Sequence, residues 1–168
     1  LNRGGTLTLP CKIMRITGCQ WDIAWEDPQA NFARAGALLE SAGDADLIVL
    51  PEMFSTGFTM DVAKAAEAEP SEAEAFLKHL ALRHNAAVLG GLVRQSDDGS
   101  GRNELIAFDP SGEELVTYQK NRTFRYTDES DYYGSGSEVA VFEWQGWKVA
   151  PLICYDLRFP ELFRRVTA

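Results

Sequence analysis

A short apolar segment that ends abruptly at a cysteine constrains this chain more than any other feature. Residues 149–153 are apolar, Cys154 follows, and polar and charged residues continue from there to Pro160. An apolar run of this length predicts a buried strand, and α/β folds place reactive groups just past the carboxyl end of a strand. The alternative is a buried structural thiol, because free cysteine packs like a small hydrophobic residue. The segment by itself favours neither interpretation.

The order of elements along the rest of the chain predicts an α/β fold. Helices are expected to begin at Asp27-Pro28 and at Pro70-Ser71, because an N-cap residue beside a proline is typical of a first helical turn. These helices alternate with strands, whereas the later strands follow one another through short turns. Such an order predicts a largely buried sheet with some antiparallel pairs. The expected strands are 15–20, 47–50, 86–93, 105–108, 115–118, 139–143 and 149–153.

Length and charge limit the class of protein. A chain of 168 residues predicts a single domain. Residues 1–13 show no clear period and Met14 opens the first organised segment, so we expect an N-terminal extension or tag over 1–13 and one domain over 14–168. The formal net charge of -9 argues against nucleic acid or an anionic membrane as a partner, since both require basic patches.

The three cysteines are too few and too scattered for a disulfide framework or a zinc site. A reducing, cytoplasmic location is therefore expected. No apolar run approaches the length of a membrane span, and no signal-peptide core is evident.

Three ionisable residues stand at the ends of predicted strands: Glu52, Lys120 and Cys154. Alone, Glu52 could cap the next element and Lys120 could be a solvated surface charge. Together they predict a site, because a carboxylate can accept the thiol proton and an ammonium can stabilise the developing negative charge. A Cys–His pair is less favoured, because His79 and His84 lie in a predicted surface helix.

Three segments carry a resemblance to a known family. L-I-V-L-P-E-M-F, Y-Q-K-N-R-T-F-R-Y and L-I-C-Y-D-L-R-F-P-E resemble, in order, the signature blocks of the carbon–nitrogen hydrolase (nitrilase) superfamily. P-E-M-F-S-T-G-F, E-W-Q-G-W and C-Y-D-L-R-F-P are most similar to its omega-amidase branch. That branch hydrolyses the terminal amide of 2-oxo acids such as 2-oxoglutaramate and 2-oxosuccinamate.

The resemblance implies a role for each matching residue. Glu52 corresponds to the general base, Lys120 to the lysine that stabilises the tetrahedral oxyanion, and Cys154 to the nucleophile. The backbone N–H of Tyr155 corresponds to the second oxyanion donor. The substrate is then a small-molecule amide, the intermediate is a thioester, and no metal or organic cofactor is implied.

Glu129 corresponds to the second glutamate of the family, which orients the lysine and the substrate amide. Its register depends on spacing, because Asp128 and Asp131 are close neighbours.

Candidate substrate contacts lie near these blocks. Arg125 and Arg158 are candidates for binding a distant carboxylate, although Arg158 could instead pair with Asp156 or Glu161. Aromatic residues that could line the pocket, or belong to the ordinary core, are Phe58, Phe124 and Tyr132.

The family fold is a four-layer α-β-β-α sandwich that forms homodimers. The chain ends soon after the nucleophile block, so we expect a C-terminally incomplete domain holding the N-terminal half to two-thirds of that sandwich. Two alternatives remain open. One is an inactive fragment or pseudoenzyme that acts as a binding module, and the other is a different amidase, nitrilase or carbamoylase of the superfamily.

Overall fold

A six-stranded sheet forms the centre of the computed structural model, which describes residues 13–66 and 71–167. Its strands are β1 (Ile16–Gly18), β2 (Leu47–Val49), β3 (Ala87–Gln95), β4 (Gly101–Phe108), β5 (Glu114–Gln119) and β6 (Tyr133–Gly134). The first five lie side by side in chain order, and β6 pairs with the start of β4. The first three strands are parallel to one another, whereas β3, β4 and β5 form an antiparallel meander.

Two long helices, α1 (Pro28–Glu40) and α3 (Glu72–His84), begin at residues that cap them. The Asp27 side chain accepts a hydrogen bond from Ala30 N, and the Ser71 side chain caps α3 in the same way. The shorter helices are α2 (Val62–Ala65), α4 (Glu129–Tyr132) and α5 (Pro160–Thr167), and a 3-10 helix spans Cys154–Arg158.

The helices and a small second sheet cover opposite faces of the large sheet. α1 and α3 bury a core of aliphatic and phenylalanine side chains against β2, β3 and β4. The other face packs against the antiparallel hairpin of β7 (Phe142–Trp144) and β8 (Trp147–Val149) and against the segment leading to Cys154. The layer order is therefore helices, large sheet, small sheet.

The structure confirms the α/β class and the predicted β4–β5 hairpin. The strand predicted over 149–153 is wrong beyond Val149, because β8 ends there and the next four residues are irregular. Pro151 lies in this segment and has no N–H to donate to a strand ladder. Cys154 therefore follows an extended connection rather than a strand. The predicted extension lies almost entirely outside the described residues.

Among the helices of the described ranges, none combines the length and the apolar character needed to cross a membrane.

Candidate active site

The carboxyl ends of β2, β3 and β5 share one edge of the sheet, and this edge positions the first two candidate residues. Glu52 lies three residues past β2 on a loop fastened to β3, where Gly91 N donates to Pro51 O at 3.1 Å and Phe54 N donates to Gly91 O at 3.0 Å. A Cβ on Gly91 would lie 2.7 Å from the Cα of Glu52. Only glycine permits this close approach, which holds Glu52 against the sheet.

Lys120 directly follows β5 and is completely buried between two carboxylates. Its Nζ lies 2.8 Å from Glu52 Oε1, and 2.9 and 3.0 Å from the two carboxylate oxygens of Glu129. Glu129 begins α4 and is also completely buried. The structure thus brings Glu52, Lys120 and Glu129 into one cluster.

The charges of this cluster keep the lysine protonated. Burial by itself lowers the pKa of Lys120, but the charges and hydrogen bonds of Glu52 and Glu129 outweigh it and raise the pKa above its ordinary value. Two carboxylates surround one ammonium, so the cluster carries an excess of negative charge. Lys120 is consequently a cation fixed in position between the two glutamates.

Cys154 lies at the surface in a backbone conformation that is unusual for its residue type. Its φ is +47°, in the left-handed region, which costs energy for a residue other than glycine. The following turn is fastened by Asp156, which is completely buried. The Asp156 carboxylate accepts hydrogen bonds from Tyr118 Oη at 2.7 Å, Arg122 N at 2.8 Å and Ile153 N at 3.0 Å.

The surroundings of the Cys154 thiol disfavour its ionised form. Partial burial and then the negative charge of Glu52 raise the pKa of Cys154, while the Lys120 ammonium acts in the opposite direction. A thiol with a raised pKa is largely protonated at neutral pH and needs a base before it can attack. Glu52 is the carboxylate whose charge the thiol senses most strongly.

A cavity of about 310 Å³ connects the thiol with this base. Glu52 and Cys154 both line it, and the remaining wall is formed by aliphatic residues of β1 to β4 and by the segment that precedes Cys154. A largely apolar cavity with a few polar groups at one end is typical of a small-molecule site.

The predicted substrate contacts divide between this region and others. The Phe58 ring lies 5.2 Å from Lys120 Nζ. The backbone N–H of Phe124 donates to Glu129, and the Phe124 ring meets that of Tyr155 edge-on. Tyr132, in contrast, lines a separate cavity.

The two candidate arginines are exposed. The alternative ion pair of Arg158 with Asp156 or Glu161 is wrong, because Asp156 binds backbone and hydroxyl donors and Glu161 pairs with Arg122. Throughout the described part of the chain, neither Arg125 nor Arg158 forms an ion pair.

Two buried polar residues of the site were not predicted from the sequence: Asn103, which contacts both carboxylates, and Asp156. Asn103 lies at an inward position of β4, where buried and partly buried residues alternate from Gly101 to Leu105. A polar residue in phase with the buried positions of a strand is the signal that could have identified it.

Residues 15–168 match the model of the carbon-nitrogen hydrolase family. The chain belongs to this family. The resemblance of its three blocks is therefore confirmed, and its fold is that of a carbon–nitrogen hydrolase.

Comparisons with individual proteins agree with this assignment. The chain is 40% identical over 147 residues to omega-amidase YafV of Yersinia enterocolitica, covering 88% of this chain and 56% of that protein. It is 33% identical over 154 residues to the 2-oxoglutaramate amidase of Bacillus subtilis, covering 90% and 60%. The crystal structure of XC1258 from Xanthomonas campestris, a CN-hydrolase superfamily protein with an arsenic adduct in its active site, superposes with a TM-score of 0.81 at 36% identity, covering 88% and 56%. The chain thus spans between half and two thirds of the length of these relatives.

Proposed function

We propose that this carbon–nitrogen hydrolase cleaves the terminal amide of a 2-oxo acid, through a thioester on Cys154. One observation carries the proposal. A buried lysine is held by two glutamates, and one of these glutamates shares a cavity with an exposed, strained cysteine. The similarity to an omega-amidase and a 2-oxoglutaramate amidase supports the substrate class.

The first half of the reaction forms the thioester. Glu52 accepts the thiol proton while the sulfur of Cys154 bonds to the amide carbon, whose oxygen becomes an oxyanion. Glu52 then returns the proton to the amide nitrogen, the C–N bond breaks and ammonia leaves. This route suits a thiol with a raised pKa, because proton transfer accompanies the attack.

The second half releases the acid. Water gives a proton to Glu52 as its oxygen bonds to the thioester carbon, and the C–S bond breaks as Cys154 regains that proton. Lys120 Nζ and the backbone N–H of Tyr155 stabilise the oxyanion in both halves. Tyr155 lies in the first turn of the 3-10 helix, where backbone N–H groups lack helical partners. Glu129 orients Lys120.

The two exposed arginines supply the specificity. A 2-oxo acid amide carries a carboxylate at the end opposite the amide, and a guanidinium binds carboxylates through paired hydrogen bonds. Arg125 and Arg158 belong to the segments that carry Lys120 and Cys154. We assign one or both to this carboxylate, with Phe58 and Phe124 beside the reacting amide.

The resemblance supports two further proposals, a domain over residues 14–168 and a homodimer, and the few scattered cysteines support a cytoplasmic location. Sedimentation equilibrium tests the dimer, and fractionation of cells expressing the native gene tests the location.

The decisive experiment measures ammonia release from 2-oxoglutaramate by the wild-type chain and by Cys154→Ala. Cys19→Ala is the matched control, because this cysteine packs against the core on the helix-covered side of the sheet and does not line the cavity. We expect turnover by the wild type and the control, and none by Cys154→Ala. A folded chain that releases no ammonia would contradict the proposal and favour the inactive-fragment alternative.

A substrate panel tests the class. We expect 2-oxoglutaramate and 2-oxosuccinamate to exceed glutaramate, a simple aliphatic amide and a nitrile in kcat/KM. Equal rates with the aliphatic amide, or preference for the nitrile, would favour another activity of the superfamily.

A further inference from the structure

Asn103 lies between the two carboxylates of the site and contacts both. It is on β4 and only 1% exposed. Its Nδ2 donates to Glu52 Oε1 at 2.6 Å and to Glu129 Oε1 at 3.1 Å. Lys120 Nζ donates to the same two oxygens. The four groups therefore form a closed cycle in which two nitrogen donors alternate with two carboxylate oxygens.

The two glutamates use their oxygens differently. Glu129 is enclosed, with both oxygens on Lys120 and one also bound by Phe124 N. Glu52 accepts the hydrogen bonds of Asn103 Nδ2 and Lys120 Nζ on Oε1, and, besides burial, hydrogen bonding with the Glu52 side chain contributes to the raised pKa of the Cys154 thiol. The Glu52 side chain is 21% exposed, whereas that of Glu129 is fully buried. Glu52 thus has one fixed oxygen and one available oxygen.

We propose that Asn103 is a positioning residue: by holding Glu52 Oε1 together with Lys120, it leaves Glu52 Oε2 to exchange the proton of Cys154. This inference rests on the proposed function, because it takes Glu52 as the base. Glu52 and Cys154 line the same cavity, and, besides burial, hydrogen bonding between their side chains contributes to the raised pKa of the thiol.

The charge balance of the cluster explains why such a residue is needed. One ammonium between two carboxylates leaves their mutual repulsion partly uncompensated. Without a further donor, one hydrogen bond from Lys120 would hold Glu52, because the other two ammonium hydrogens are bound by Glu129, and the Glu52 carboxylate would be free to rotate about that single contact. The neutral amide of Asn103 gives one hydrogen to each carboxylate and adds no charge.

The orientation of the Asn103 amide is fixed by these contacts. Its Oδ1 is buried and finds no hydrogen-bond partner among the described residues, which is uncommon for a buried polar atom. Reversing the amide would bring Oδ1 against the carboxylate oxygens of Glu52 and Glu129 and lose both hydrogen bonds. The unpaired carbonyl indicates that the two hydrogen bonds from Nδ2 to Glu52 and Glu129 hold the Asn103 side chain in place.

The test measures how fast iodoacetamide alkylates Cys154 as a function of pH, using mass spectrometry of the Cys154 peptide. Four chains are compared: wild type, Glu52→Gln, Asn103→Leu and the double variant. We expect Glu52→Gln to lower the midpoint of the pH curve by about one unit, because the negative charge facing the thiol disappears. Asn103→Leu should shift it in the same direction by less, because Glu52 turns away. When Asn103→Leu is added to Glu52→Gln, the midpoint should not shift any further.

Two results would overturn the inference. An unchanged midpoint in Asn103→Leu would mean that Asn103 does not control the orientation of Glu52. A shift that persists in the Glu52→Gln background would mean that Asn103 acts through strand packing. Asn103→Ala replaces the leucine variant if circular dichroism shows that the latter does not fold.

Asn31→Leu is the matched control, because this buried asparagine donates only to the backbone oxygens of Ala24 and Ser55 and lies outside the cluster. It should lower thermal stability without moving the midpoint.

Alkylation separates this inference from the proposed function, because it needs no amide turnover. A wild-type chain that releases no ammonia contradicts the function, while the four-chain comparison still decides the role of Asn103. In an active chain, Asn103→Leu should lower kcat by about 10- to 100-fold with little change in KM, because proton transfer rather than binding is impaired. Unchanged kcat in that variant would overturn the inference.

Discussion

Replacing Asp156 by asparagine tests how the turn that carries Cys154 is held. The change keeps the size and shape of the side chain and removes its charge. The carboxylate is completely buried and accepts three hydrogen bonds, two on Oδ2 from Tyr118 Oη and Ile153 N and one on Oδ1 from Arg122 N. An asparagine has a single acceptor oxygen, so one of the two backbone N–H groups must face its NH₂ group whichever way the amide is turned.

The expected cost follows from these contacts. A buried N–H left without a partner costs about 1 to 3 kcal/mol, and the remaining hydrogen bonds weaken because their acceptor is no longer charged. The sum is about 3 kcal/mol in the free energy of unfolding. For a domain of this size, that corresponds to a melting temperature lower by about 6 to 12 °C.

Thermal unfolding followed by circular dichroism measures the shift. Glu161→Gln is the matched control, because it makes the same chemical change at an exposed ion pair with Arg122, where the loss should not exceed about 1 kcal/mol. Tyr118→Phe should also destabilise, and its effect should not add fully to that of Asp156→Asn because the two share one hydrogen bond. A melting temperature of Asp156→Asn within about 1 °C of the wild type would refute the reasoning.

Three further perturbations have expected outcomes. Lys120→Met should destabilise the protein by about 3 to 5 kcal/mol, because it leaves two carboxylates without their cation. Adding Glu129→Gln to this variant should recover part of the loss. Urea unfolding measures both effects, and a double variant no more stable than Lys120→Met would contradict the explanation. Gly91→Ala should cost about 1 to 3 kcal/mol and lower kcat, because the added methyl group meets the backbone of Glu52 at 2.7 Å; ammonia release and urea unfolding check this, and unchanged values in both would exclude the tight contact. The Arg15 guanidinium, bound to the Asp46 carboxylate, lowers the pKa of Asp46 to about 2 in the folded chain. The stabilisation from this pair is therefore present above the ordinary pKa of an aspartate, near 4, and is lost as the pH falls towards 2. The melting temperatures of the wild type and Asp46→Asn should converge over that range, and a constant difference would argue against the pair.

The sequence predicted those parts of the protein that depend on short-range patterns. The sequence predicts the helix starts at Asp27 and Ser71, because capping requires a particular side chain within one turn of the helix. The sequence predicts Glu52 and Lys120 as candidate site residues, because each follows a strand that the pattern of apolar residues indicates. The strand over 149–153 was mispredicted, because apolar composition reports burial and not hydrogen-bond pairing.

Family resemblance and tertiary contacts contribute different knowledge of the site. The three blocks indicate which residues take part, since their spacing and order are properties of the chain itself. They do not indicate that backbone and hydroxyl donors bind the Asp156 carboxylate, nor that Arg158 pairs with neither Asp156 nor Glu161. Those outcomes depend on competition among neighbours that only folding brings within reach.

By itself, the sequence determined the α/β class and the family, and it predicted Cys154, Glu52 and Lys120 as the candidate nucleophile, base and lysine. Only the tertiary structure decided that the Lys120 ammonium binds both Glu52 and Glu129, and that Asn103 bridges the same two carboxylates. Glu52 and Asn103 are 51 positions apart, and Glu52 and Lys120 are 68 apart. Their meeting depends on the register of β3, β4 and β5, which the packing of the whole sheet fixes and no local pattern encodes.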